Sequence, residues 1–140
     1  MITSNLNNLE LTEFTGKLDR SQHCRAAFPV NGAVGTKNSA TVYFEIEPGE
    51  HLGRHTDSAE ELLLVLDGKA EAIVGNESGI ISKGEIAVVP KMIPHDVKNT
   101  GSTKLRMLGF FGGANHIIAT FDDKWMPVDS NVVDTLQMVQ

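Results

Sequence analysis

A chain of 140 residues, 41% apolar and 21% charged, is long enough to bury a core of its own without disulfides or structural zinc, and it reads most simply as one domain. Its 18 acidic residues outnumber 12 Lys and Arg for a formal charge of -6, with no basic cluster, which excludes the positive footprint that nucleic acid requires. The N-terminal "MITSNLNNLELTEF" lacks the basic start and apolar centre of a signal peptide, and the longest apolar run, "LLLVL", is far too short to cross a bilayer.

Residues 1–25 are weakly patterned and could add an edge strand. Cys24 is unpaired, so no disulfide framework exists and a reducing cytoplasm is the expected location. Nothing near it marks an activating base, and it reads as an inert thiol rather than a nucleophile. "ATVYFEIE" (40–47) alternates Val42, Phe44 and Ile46 with more polar neighbours, as a half-buried strand does. "LLLVL" (62–66) is continuous and suits a strand covered on both faces. Asp67-Gly68 then predicts a hairpin turn, with "KAEAIVG" (69–75) returning beside it. "NESG" (76–79) turns again, and "KGEIAVVP" (83–90) is a further turn and strand, closed by a proline. "PHDVKN" (94–99), "KLRMLGFF" (104–111) and "HIIATF" (116–121) follow as strands, and "SNVVDTLQMVQ" (130–140) could form a short helix capped at Ser130. Many short strands punctuated by Gly, Asn and Asp turns predict an all-β sandwich or barrel.

The chemistry gathers at two strand ends. His55 and Asp57 are two apart, so a strand places them on one face with Cα atoms about 6.6 Å apart. Glu61, four positions on, can reach the same side, and His95 needs only sheet closure to lie opposite. Two imidazoles and two carboxylates form a mixed nitrogen and oxygen set suited to a borderline or moderately hard divalent metal. Each of these residues alone would more often be a solvated turn or a satisfied core group; their spacing is the argument for a site. His51 shares strand parity with His55, but four strand residues span about 13 Å, which puts it at a pocket mouth or the surface. Glu60 points to the face opposite Glu61 and is solvated. Asn99 and Gly84 read as loop-forming, His116 as a surface histidine, and Met92, Met107, Phe110 and Phe111 as core or pocket wall.

Those spacings resemble the two motifs of the cupins. The first motif runs Gly, five residues, His, one, His, three or four, Glu, six, Gly. It is met by Gly49, His55, Asp57, Glu61 and Gly68, with Asp57 where the second His is expected. The second runs Gly, five, Pro, one, Gly, two, His, three, Asn. It is met by Gly84, Pro90, His95 and Asn99, with Met92 in place of the middle Gly. The resemblance implies a jelly-roll barrel (a double-stranded β-helix) with its core at about 38–121 and an extension at each end, and a homodimer. It also implies a metal inside the barrel, bound by His55, Asp57, Glu61 and His95. Asp57 makes that shell richer in oxygen and, with Glu61, balances a divalent charge, which favours Mn, Fe(II) or Zn over copper(I). Without the ion, one of the two carboxylates is expected to hold a proton.

The family spans dioxygenases, isomerases, decarboxylases, sugar-modifying enzymes and non-catalytic proteins, so fold alone does not fix function. The leading reading is a metal-dependent enzyme, of oxygenase, isomerase or lyase type, acting on a small organic molecule. The alternative is a non-catalytic module that binds a small molecule or sugar. A second polar cluster facing the metal would favour catalysis, and a purely apolar, aromatic wall would favour binding.

Overall fold

Period-two alternation carries through to the backbone of the computed structural model, which describes residues 1–138. Twelve strands run in chain order: β1 (Thr12–Gly16), β2 (His23–Ala27), β3 (Ser39–Ile46), β4 (His55–Asp57), β5 (Glu61–Asp67) and β6 (Lys69–Val74) come first. They are followed by β7 (Glu77–Ser82), β8 (Ile86–Val89), β9 (His95–Lys98), β10 (Leu105–Gly112), β11 (Ile118–Met126) and β12 (Ser130–Asp134). Their pairing order is β7-β6-β9-β4-β11-β1-β2-β3-β10-β5-β8, with β12 added to β11, and the strand pairings are antiparallel. The sheet folds on itself as a nearly closed jelly-roll barrel. One half, β7 to β11, joins the other at the short β1–β11 contact of Thr15 with Met126 and Gly16 with Trp125. Phe44, Leu63, Val65 and Met107 of one half pack with Val97, Phe121 and Trp125 of the other, each 4% exposed or less. Among the described residues no helix is long and apolar enough to cross a membrane.

Four local expectations give way to tertiary pairing. The N-terminal segment forms two interior strands instead of an edge: β1 lies between β11 and β2, and β2 between β1 and β3. Its inward side chains are few, chiefly Phe14 opposite Cys24, each 1% exposed, so the apolar pattern is faint. Burial pushes the Cys24 thiol well up, which makes it inert. Asp67-Gly68 does not close a hairpin. β5 is already flanked by β10 and β8, and at Gly68, whose φ is 84°, the chain crosses to the other half, where β6 pairs with β7 and β9. The next turn falls at Gly75-Asn76, two residues long between Val74 and Glu77, so β7 already includes most of "NESG". β5 is covered on one face only, with Leu62 37% exposed and Leu64 half-buried on the other. The C-terminal run is strand, not helix, as far as Asp134. β-Branched Val132 and Val133 pair with Thr120 and Ala119, and only Thr135–Met138 coils, as a 3-10 turn. The Ser130 hydroxyl oxygen accepts from Val132 N–H at 3.0 Å, a local turn contact in place of a helix cap. The helix expected there ran on to residues 139–140, which lie outside the described ones.

Candidate metal site

β4 is only three residues long, and its alternation buries His55 and Asp57 while Thr56 stays half-buried. The strand is held between β11 and β9, and His55 lies directly opposite His95 in the β9 register, ring centroids 4.1 Å apart. Each imidazole is oriented by a carbonyl two residues before it. His55 Nδ1 lies 2.7 Å from the Gly53 oxygen and His95 Nδ1 lies 2.9 Å from the Ile93 oxygen. A carbonyl can only accept, so both Nδ1 atoms carry the hydrogen and both Nε2 lone pairs face the barrel interior. Gly53 takes a φ of 107°, and a Cβ there would collide with the Gln22 side chain. Its N–H donates to Asp96 Oδ1 at 2.8 Å, an oxygen that also accepts from Val97 N–H.

The donors converge. Asp57 Oδ2 lies 3.1 Å from His95 Nε2 and 3.5 Å from His55 Nε2, and Glu61 Oε1 reaches in from β5 to 3.5 Å from His95 Nε2. Oxygens and nitrogens bound at roughly 2.1 Å to one ion lie about 3.0 Å apart across a right angle and about 3.4 Å apart at the tetrahedral angle, which the observed spacings match. Asp57 Oδ2 and His95 Nε2 are fully buried and make no hydrogen bond, although only 3.1 Å separates them. Left without a partner, they lie among donors whose spacing and chemistry fit a divalent cation. His55, Asp57 and His95 form the tightest group, their donor atoms within 4.8 Å of one another. Glu61 stands at its margin, with Oε2 pressed against Gly109, where a Cβ would collide with it.

The electrostatics agree with a cation's place. Burial raises the Glu61 carboxyl to about 7, helped by the Asp57 charge and opposed by His95. Burial alone would lower His95, but the neighbouring Asp57 and Glu61 carboxylates hold it at about 10. Burial works against ionised Asp57 as well, yet the two imidazoles keep it well below the usual carboxylate range. In the absence of an ion, protons therefore occupy the cluster, and Glu61 is the carboxylate that takes one.

The other singled-out residues separate cleanly. Glu60 is exposed, and Asn99 is a loop tie, donating to the Ile46 and Thr103 carbonyls and accepting from Gly101 N–H. Gly84 has a φ of 86°, and Met92, in the position of the motif's glycine, has a φ of 62°. Met107 is core, Phe111 lines the cavity, and Phe110 and Met92 are exposed on the outside, so the last two are neither core nor pocket wall. His116 is half-buried beside Asn115 and away from the cavity. His51 sits outside the donor cluster, clamped between Asp96 Oδ2 at 2.8 Å and Asp19 Oδ2 at 2.9 Å. The hydrogen bond to Asp96 raises its pKa, burial opposes, and the bond to Asp19 adds to the rise. Sequence reasoning did not single out Gly53, Asp96 or Gly109. A glycine between Leu108 and Phe110 inside a strand is the one signal it offered, because it marks a close approach.

Beyond His55 the barrel interior is apolar. Phe121 stacks on the His55 ring at 4.4 Å, Trp125 follows Phe121 at 4.4 Å, and Phe14 follows Trp125. A cavity of about 40 Å³ lies among Phe121, Trp125, Phe44 and Phe111, with His55, Asp57 and Glu61 at one end.

A family model described as a cupin domain matches residues 42–111. No curated protein sequence matches the chain. Among solved structures, it is similar to a candidate sugar phosphate isomerase from Acidithiobacillus ferrooxidans, with a TM-score of 0.66 at 19% identity, covering 96% of this chain and 91% of that one. It is also similar to an oxalate decarboxylase, with a TM-score of 0.70 at 21% identity over 81% of this chain, and to the oxalate decarboxylase of Bacillus subtilis, with a TM-score of 0.62 at 24% identity over 71%. The chain spans only 30% and 28% of those two decarboxylase chains. At these identities the likeness is one of fold.

Proposed function

Because the chain belongs to the cupin domain family, we propose that it is a single-domain cupin, residues 1–140, that carries a divalent ion on His55, Asp57, Glu61 and His95 and uses it on a small organic molecule. The observation that carries this reading is the pair of buried, unpaired atoms, Asp57 Oδ2 and His95 Nε2. Two carboxylates balance a divalent charge, and the oxygen-rich set suits Mn, Fe(II) or Zn. The B. subtilis oxalate decarboxylase, a fold relative, has Mn(II) centres, which supports including Mn. When bound, such an ion supplies Lewis acidity, or oxygen activation if it is iron.

The chain's own residues do the rest. The Gly53 and Ile93 carbonyls hold both imidazoles in the metal-binding tautomer, and Phe121 fixes the plane of His55. Among the described residues no further titratable group lines the cavity, so an isomerase or lyase that needs a separate acid or base is the less favoured enzyme type. The test is a titration of chelator-treated protein with Mn(II), Fe(II) and Zn(II). One ion bound per chain is expected, and no binding of any of the three would end the proposal.

A second reading, a non-catalytic binding module, is favoured by the aromatic wall. Turnover of a bound ligand by the loaded protein separates the two. The proposal also includes a cytoplasmic homodimer. An exposed outer row of Phe110, Leu62 and Val88 across β10, β5 and β8, with Ile86 beside it, supports docking through that sheet face. A monomer at micromolar concentration in light scattering would refute the dimer.

A further inference from the structure

We infer that the cavity selects an uncharged molecule with an apolar body and an oxygen head, and that it rejects both carboxylate dianions and sugar phosphates. The inference rests on the ion site proposed above and names what that site receives. Its first support is the wall. Among the described residues no lysine or arginine lines the cavity, and apart from the three titratable residues at its end, its polar groups are the Thr135 hydroxyl and the indole N–H of Trp125. The Thr135 hydroxyl oxygen already accepts from Ile117 N–H at 3.0 Å, so it has one donor and one further lone pair left for a ligand.

The second support is charge. Asp57 and Glu61 together neutralise a divalent ion, so a neutral ligand leaves the buried end neutral. A dianion would leave two negative charges in an aromatic pocket with no cation to meet them, and burying unpaired charge is strongly unfavourable. A sugar fares little better, because its several hydroxyls would find only Thr135 and the Trp125 indole as partners among the described wall residues.

Size is the third support. A cavity of about 40 Å³ is below the roughly 150 Å³ that accommodates benzene in an apolar protein interior, so the occupant is no larger than benzene and the wall must yield to admit one of that size. Trp125 and Val133 line the cavity and are 4% and 2% exposed, so the wall is packed on its outer side too. The structural relatives described as acting on a sugar phosphate and on oxalate thus share the barrel without fixing the ligand.

The test uses the Mn(II)-loaded full chain and three carbon-13 labelled probes, sec-butanol, oxalate and glucose phosphate, with paramagnetic relaxation as the readout. The sec-butanol carbons are expected to relax at least fivefold faster than in Val133→Phe protein, whose larger side chain fills the cavity, while oxalate and glucose phosphate show no such enhancement. Relaxation of either anion equal to or greater than that of sec-butanol overturns the inference. Electron paramagnetic resonance of Mn(II) reports separately on the ion site. If no Mn(II) is held, the ion reading fails, and Trp125, the only tryptophan, still reports on the cavity of the ion-free protein. A saturable fluorescence change with sec-butanol and none with oxalate upholds the apolar selectivity; no change with sec-butanol overturns it.

Discussion

Glu61→Gln is expected to strengthen the ion-free protein while it weakens ion binding. The folded state raises this carboxyl from 4.5 to about 7, so it binds more protons than the unfolded chain between those values, and stability falls as pH climbs through that window. Above it, ionised Glu61 costs on the order of 3 kcal/mol, taking 1.36 kcal/mol for each pKa unit. Glutamine keeps the shape and removes the charge. His95 loses one of its two carboxylate partners in exchange, which returns part of the gain. The net expectation at pH 8 is a stabilisation of about 1–2 kcal/mol, or roughly 3–8 °C in Tm for a domain of this size, shrinking toward zero near pH 4.5. Thermal unfolding of chelator-treated wild type and variant from pH 4.5 to 8 measures it. Saturating Mn(II) or Zn(II) should reverse the order, because the amide is the poorer ligand. A variant less stable than wild type in the ion-free state at pH 8 would refute the reasoning, as would one with unchanged ion affinity.

Asp57→Ala should lower ion affinity at least tenfold, Glu60→Ala should leave it unchanged, and Asp57→His should restore it with a preference for Zn or Ni; metal titrations of the three decide. Loading must displace the proton that His95 holds up to about 10, so affinity should rise by about tenfold per pH unit from pH 7.5 to 9, with about one proton released in calorimetry across buffers of differing ionisation enthalpy. A flat profile would exclude His95 as a ligand. At Met92, where φ is 62°, a β-branched side chain is strained, so Met92→Val should cost about 1 kcal/mol or more in urea unfolding while Met92→Gly costs nothing measurable.

The strands over β8 and β10 were legible because each buries chiefly one face and so alternates, and β3 alternates over most of its length, whereas β9 buries His95, Asp96 and Val97 in a row. The spacing of His55, Asp57, Glu61 and His95 was legible too, and the structure brings His55, Asp57 and His95 together with Glu61 at their margin. Local signals failed where a partner strand decided the outcome. Asp67-Gly68 carries good hairpin chemistry, but β10 and β8 already occupy both edges of β5, so the same turn serves as a corner between sheets. β1 and β2 bury so few large side chains that their central position has no sequence signature. Asp96 carries no sequence signal of its own. Its role depends on Gly53 and His51, more than forty residues earlier in the chain, and only the register of β4 against β9 brings them together.

The donor set straddles the two halves of the barrel: His55, Asp57 and His95 stand on β4 and β9, whereas Glu61 stands on β5 in the facing half. The halves meet through contacts distant in sequence, which form late and make folding slow. An ion held across them stabilises only the closed barrel, by about 2.7 kcal/mol when it is present at a hundred times its Kd. Interactions formed after the folding barrier act mainly on the unfolding rate. An ion joining β4 and β9 to β5 would therefore lengthen the lifetime of the folded barrel more than it hastens assembly.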